Sequence, residues 1–93
     1  MGAMSEGIES NLRAGLQPQR FSIVDESHKH AGHAGARAGG ESHFRIVVVS
    51  AAFEGKTRVQ RQQMVYGLLK PQFEQGLHAL AMTTLTPAED VAD

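Results

Sequence analysis

Five histidines and no cysteine set the chemistry open to this 93-residue chain. The histidines are His28, His30, His33, His43 and His78. Imidazole is a borderline ligand that suits iron and other first-row metals. His28-Lys29-His30-Ala31-Gly32-His33 holds three of them, close enough in sequence to converge on one ion. A solvated loop is the competing reading of that run, because structural zinc sites usually add cysteines. His43 precedes an apolar stretch and reads as a hydrogen bonder at a strand entrance. His78 opens the last alternating segment, where an exposed or structural histidine is commoner than a ligand. Without a thiolate the chain cannot hold an all-thiolate iron–sulfur cluster alone. Any soft-metal role must borrow sulfur from another molecule.

Catalysis finds little support. Asp25, Glu26 and Glu41 bracket the histidine-rich stretch, and paired carboxylates can serve general acid–base chemistry. No nucleophile accompanies them, so turn or capping roles are expected. Ser27 beside His28 or His30 has the letters of a hydrolase pair but lacks the strand-to-helix elbow such a serine needs. The expectation is a non-enzyme with no small-molecule substrate.

A second chemistry lies in Lys56, Arg58, Arg61 and Lys70, with no acidic residue between Gly55 and Phe73. Lys56, Arg58 and Arg61 are candidate nucleic-acid contacts, since clustered cations neutralise phosphates. The formal net charge of −1 gives no overall attraction to DNA. A solvated helix face is the blander reading. Gly32-His33-Ala34-Gly35 has the Gly-x-x-Gly letters of a backbone clamp but falls between strands rather than between helices.

The elements that must position these residues follow from periodicity. Ile8, Leu12 and Leu16 recur every four residues and predict a helix, opened by Ser5, weakened by Gly7 and Gly15 and ended by Pro18. Arg20 to Asp25 alternates as a strand. A long break from Glu26 to Ser42 follows, and loops of this length are usually functional or disordered. Phe44 to Ser50, with Ile46-Val47-Val48-Val49 apolar on both faces, predicts a central strand. Phe53-Glu54-Gly55-Lys56 turns the chain. Thr57 and Gln60 form a capping-box pattern for a second helix. Its apolar stripe is Met64, Val65, Leu68 and Leu69, with Tyr66 packing at its edge and Arg58, Arg61 and Gln62 facing solvent. Pro71 opens a short third helix that Gly76 closes. Leu77 to Thr84 predicts the last strand, with His78, Leu80 and Met82 on one face. Thr86-Pro87-Ala88-Glu89 reads as a helix start near the end of the chain.

The order is helix, strand, strand, helix, helix, strand. It predicts a single α/β (α+β) domain with helices on one face of a three-stranded mixed sheet. Met1 to Met4 reads as a cloning scar and start, 5–87 as the domain and 88–93 as a tail. No apolar run approaches transmembrane length, and no targeting segment is apparent, so the expected compartment is the cytoplasm and no membrane partner is expected.

Several short motifs, in one order, resemble the BolA family. Asp25-Glu26-Ser27, Glu41-Ser42-His43-Phe44 and Val48-Val49-Ser50 are similar to its first half. Phe53-Glu54-Gly55, Arg61 and Val65-Tyr66 resemble its helical signature, and His78-Ala79-Leu80 with Thr86-Pro87 its end. The likeness runs from about Ile8 to Pro87. Gln62 departs from it, standing where relatives often carry histidine.

The resemblance implies a class II KH-like fold and a partnership with a monothiol glutaredoxin. It implies a [2Fe–2S] cluster shared across that pair and serving iron–sulfur trafficking or iron and redox regulation. The thiols come from the glutaredoxin cysteine and a glutathione held by the partner. This chain contributes His78, from the His-Ala-Leu motif, and a loop ligand at His30, with His33 as the alternative. The resemblance also carries a second expectation, a DNA-binding transcription regulator of stress responses.

Overall fold

A computed structural model describes residues 2–26 and 43–90. The α-helices are α1 (Ala3–Leu16), α2 (Arg58–Leu68) and α3 (Lys70–Glu74), and the strands β1 (Arg20–Asp25), β2 (His43–Val49) and β3 (Ala79–Leu85), with a 3-10 turn at Ala51–Phe53. The strands lie in the order β1-β2-β3. β1 runs antiparallel to β2, with Ile23 opposite Ile46. β3 runs parallel to β2, with Ile46 opposite Met82. The expected α+β architecture and mixed sheet are what forms, with Ile46-Val47-Val48-Val49 in the centre.

Alternation decides which face of the sheet is covered. Phe44, Ile46 and Val48 are buried, flanked by the half-buried Phe21 and Ile23 of β1 and Leu80 and Met82 of β3. Ser22, Val24, Arg45, Ala79, Ala81 and Thr83 are exposed on the other face. The buried row packs against Met4, Ile8, Leu12 and Leu16 of α1 and Val65 and Leu69 of the α2–α3 segment. Ile8, Leu12, Ile46, Phe53, Val65 and Leu69 are all at 0% exposure. Truncating one of the aliphatic residues in this set to alanine costs about 2–5 kcal/mol.

The start of α1 differs from the sequence expectation. Gly2, not Ser5, is the N-cap, so residues 3 and 4 belong to the helix and Met4 joins the core. Ser5 is buried within the first turn, its hydroxyl donating to the Gly2 carbonyl at 3.0 Å. Gln17, in the left-handed region at φ 46°, closes the helix one residue before Pro18.

Gly7 and Gly15 are where α1 meets the other helices. A Cβ on Gly15 would lie 2.6 Å from both Leu68 methyl carbons, and one on Gly7 would lie 2.8 Å from the Gln72 side-chain nitrogen. Asn11, between them, donates to the Leu68 carbonyl at 3.1 Å and to Gln72 Oε1 at 3.0 Å. The residues that weaken the helix thus let it approach closely, and a half-buried polar tie holds the crossing in register.

The capping box of α2 is present as expected. Thr57 Oγ1 accepts from the Gln60 amide at 3.1 Å, and Gln60 Oε1 accepts from the Thr57 amide at 2.9 Å. Pro71 sits in the first turn of α3.

Candidate metal centre

Topology brings three chain segments to one end of the sheet. β1 ends at Asp25, and because it is antiparallel to β2 that end lies beside the start of β2 at His43. The Glu26 amide donates to the His43 carbonyl at 2.8 Å, so the two ends of the intervening connection are tied together. β3 is parallel to β2, so its start lies at the same end, with His43 opposite Ala79.

His78 is placed by what precedes it. Gly76, at φ 120°, turns the chain out of α3, a conformation that favours glycine. Leu77 is buried, and its amide donates to the Gln72 carbonyl at 2.9 Å. The next side chain emerges into solvent, and it is His78. The strand begins at Ala79, so His78 lies just outside the alternation expected to include it.

The His78 and His43 rings lie together, with centroids 5.0 Å apart and planes tilted by 36°. His43 is half-buried and His78 exposed. Two imidazoles from residues 35 apart in sequence are therefore packed against one another. Sequence reasoning reached His78 through its motif but read His43 as structural, because only the β2–β3 register brings the two together. His30 and His33, the expected loop ligands, lie outside the described residues. Among the described residues no group of three or more histidines, carboxylates or cysteines is arranged to hold a metal. Glu26, at the same end, is drawn to Arg45 on the open sheet face at 3.0 Å.

The second candidate surface lies at the other end of the sheet. Lys56 and Arg58 are exposed as expected. Arg61 is not a solvent-facing cation, since its side chain is only 12% exposed. Its guanidinium donates to the Lys56 carbonyl at 3.0 Å, the Thr84 carbonyl at 3.1 Å and Glu89 Oε1 at 2.7 Å. An acceptor from the chain's last described turn draws it inward. That turn, Thr86 to Asp90, is a one-turn capping box: Glu89 Oε1 accepts from the Thr86 amide at 2.8 Å and Thr86 Oγ1 from the Glu89 amide at 3.2 Å. The Arg61 hydrogen bond, then the Thr86 amide, hold the Glu89 carboxyl down to about 2. Asp90 reaches Arg20 on β1 at 2.7 Å, and that hydrogen bond lowers its pKa and raises that of the arginine. The turn thus straps the C-terminal end of β3 to α2 on one side and β1 on the other. The Thr-x-x-Glu spacing signalled its cap, but not its arginine partners. A shallow cleft of about 340 Å³ lies beside it, lined by Arg58, Arg61, Thr84, Leu85 and Glu89.

Comparison with known proteins agrees with the fold and with the family resemblance. The model of the BolA-like protein family matches residues 12–89. The chain is 43% identical over 88 residues to "Uncharacterized protein in cobS 5'region" of Sinorhizobium sp, covering 94% of this chain and 95% of that one. It is 42% identical over 84 residues to "DNA-binding transcriptional regulator BolA" of Escherichia coli, covering 90% of this chain and 76% of that one. The BolA domain of SufE1 from Arabidopsis thaliana superposes with a TM-score of 0.86 at 39% identity, covering 96% of this chain and 98% of that chain. This chain spans 25% of the length of the Arabidopsis SufE-like protein 1. Matched over most of its length in family, sequence and structure, the chain belongs to the BolA-like protein family.

Proposed function

We propose that this protein is an adaptor that supplies histidine ligands to a [2Fe–2S] cluster shared with a monothiol glutaredoxin in the cytoplasm, for cluster trafficking or for iron and redox regulation. The observation that carries this reading is His78: an exposed imidazole, fixed behind a buried leucine and 5.0 Å from the His43 ring, at the sheet end where the histidine-rich connection begins and ends. The donor set fits the group, because a chain with nitrogen ligands and no cysteine completes an iron site only when a partner brings thiols.

When bound, the cluster supplies the transferable or redox-sensing unit, with thiolates from the glutaredoxin cysteine and glutathione. The chain's own contribution is His78, exposed where a docking partner can reach it, and the loop ligand His30 or His33. A neutral imidazole adds no charge to hold the metal, so its bond is weaker than a thiolate's and is lost when the ring is protonated. That suits release and sensing better than permanent storage. The reading requires no catalytic residue.

The test is reconstitution of the pair with glutathione and an iron–sulfur source. The expected product has a visible absorption and circular-dichroism spectrum distinct from that of the glutaredoxin homodimer. A spectrum identical to the homodimer's rules the reading out.

DNA-binding regulation is the second reading, favoured by the name of the Escherichia coli relative and by the exposed Lys56 and Arg58. Arg61 contributes little to it, because Glu89 already occupies its guanidinium. A salt-titrated gel-shift assay tests it. Promoter DNA bound more tightly than random DNA supports it, and equally weak binding to both removes it.

A further inference from the structure

We propose that His43 and His78 form a two-imidazole site for a single borderline divalent cation of the zinc class, on this chain alone and before any partner binds. An imidazole nitrogen bonds zinc at about 2.0–2.1 Å, which puts each ring centre about 3.2 Å from the ion; at a near-tetrahedral angle two such centres lie about 5 Å apart. The two rings stand 5.0 Å apart. Both are anchored in backbone: His43 by the first residue pair of the parallel β2–β3 ladder, and His78 by the turn at Gly76 and the buried Leu77. Two neighbouring imidazoles on fixed backbone bring a ligand pair together without the ordering a loop ligand requires. Water fills the other positions, which gives the open, exchangeable site that zinc adopts when the protein provides fewer than four ligands. Where the cluster reading also holds, an ion on this pair withholds His78 from the cluster and competes with its capture.

A 5 Å separation is also ordinary for two rings merely packed together. The variant His43→Phe separates the two explanations, because phenylalanine keeps ring packing and removes the nitrogen donor. The experiment uses the full chain without partner, glutathione or iron, in a background where His28, His30 and His33 are all replaced by alanine to silence the loop. Zn2+ is titrated while imidazole nitrogens are followed by ¹H–¹⁵N NMR and heat by calorimetry, with backbone amide spectra reporting the fold. One ion per chain is expected, with the His43 and His78 nitrogens shifting in step. Losing even an outer partner of a metal ligand costs about tenfold in affinity, so His43→Phe and His78→Phe are each expected to weaken binding by at least about tenfold. No saturable binding, a shift at His78 alone, or unchanged affinity in a folded His43→Phe overturns the proposal. The site shares His78 with the cluster reading, but this assay contains no cluster, so failure of either leaves the other standing.

Discussion

His78 and Arg61 show how differently two polar residues of one motif set can be used. His78 is exposed, and among the described residues its one side-chain ring contact is the neighbouring His43, so His78→Ala is expected to leave stability within about 0.5 kcal/mol of the parent. Chemical denaturation measures this, and a loss of several kcal/mol would make the histidine structural. Arg61 is the reverse case. Its guanidinium bonds two backbone carbonyls and a carboxylate from a largely buried position. Arg61→Ala is expected to destabilise by about 1–2 kcal/mol, whereas the exposed Arg58→Ala changes stability by less than about 0.5 kcal/mol. Equal effects would contradict the inward role assigned to Arg61. The sequence identified both residues as special but could not assign Arg61, because its acceptor Glu89 lies 28 positions away in a segment read only as a helix start. His43 escaped for the same reason: its significance lies in a strand register.

Among the elements, those defined by local signals were legible and those defined by packing were not. β1 spans the residues its alternation predicted, and the Thr57–Gln60 box opens α2 where its spacing placed it. Thr57→Ala is expected to cost about 1 kcal/mol through loss of that cap, measured by denaturant unfolding. The glycines of α1 were legible as weak helix formers but not as the contact point with α2 and α3, since nothing local in the sequence marks a helix crossing. Gly67, in α2, has nothing within 4 Å of where a Cβ would stand, whereas Gly15 has the Leu68 methyl carbons at 2.6 Å. Gly67→Ala is therefore expected to stabilise by about 0.5 kcal/mol through helix propensity. Gly15→Ala is expected to destabilise by about 1 kcal/mol or more as the crossing is forced apart. A gain at both positions would show that α1 does not depend on the close approach.

Across the whole molecule, the two ends of the sheet are built differently. One end gathers His43, His78 and the ends of the histidine-rich connection. The other is closed by the strap from Thr86 to Asp90. The strap carries a pH dependence whose sign follows from its carboxylates. Glu89 has its pKa lowered from 4.5 to about 2 in the folded chain, and Asp90 is lowered as well. Each binds its proton less readily folded than unfolded, so its contribution is complete above the unfolded value and is lost as pH falls through the folded one. The difference in Tm between the parent and Glu89→Gln is expected to shrink steadily between about pH 4.5 and about pH 2, followed by calorimetry. A difference that stays constant across that window would remove Glu89 from the acid response. No helix among the described residues is long and apolar enough to cross a membrane. The architecture was legible in the sequence because helix and strand periods alternate cleanly along most of the chain. The meeting of His43 and His78 at one sheet end was not, because it depends on strand direction and register.

The most direct measurement of the central claim is the iron and sulfide content of the complex purified with a monothiol glutaredoxin, for the parent and for His78→Ala side by side. The account predicts two irons and two sulfides for each parent heterodimer, as the formula [2Fe–2S] requires. It predicts a heterodimer without them for His78→Ala, in a chain whose amide spectrum is unchanged. Full iron and sulfide with an unchanged visible spectrum in His78→Ala would contradict it.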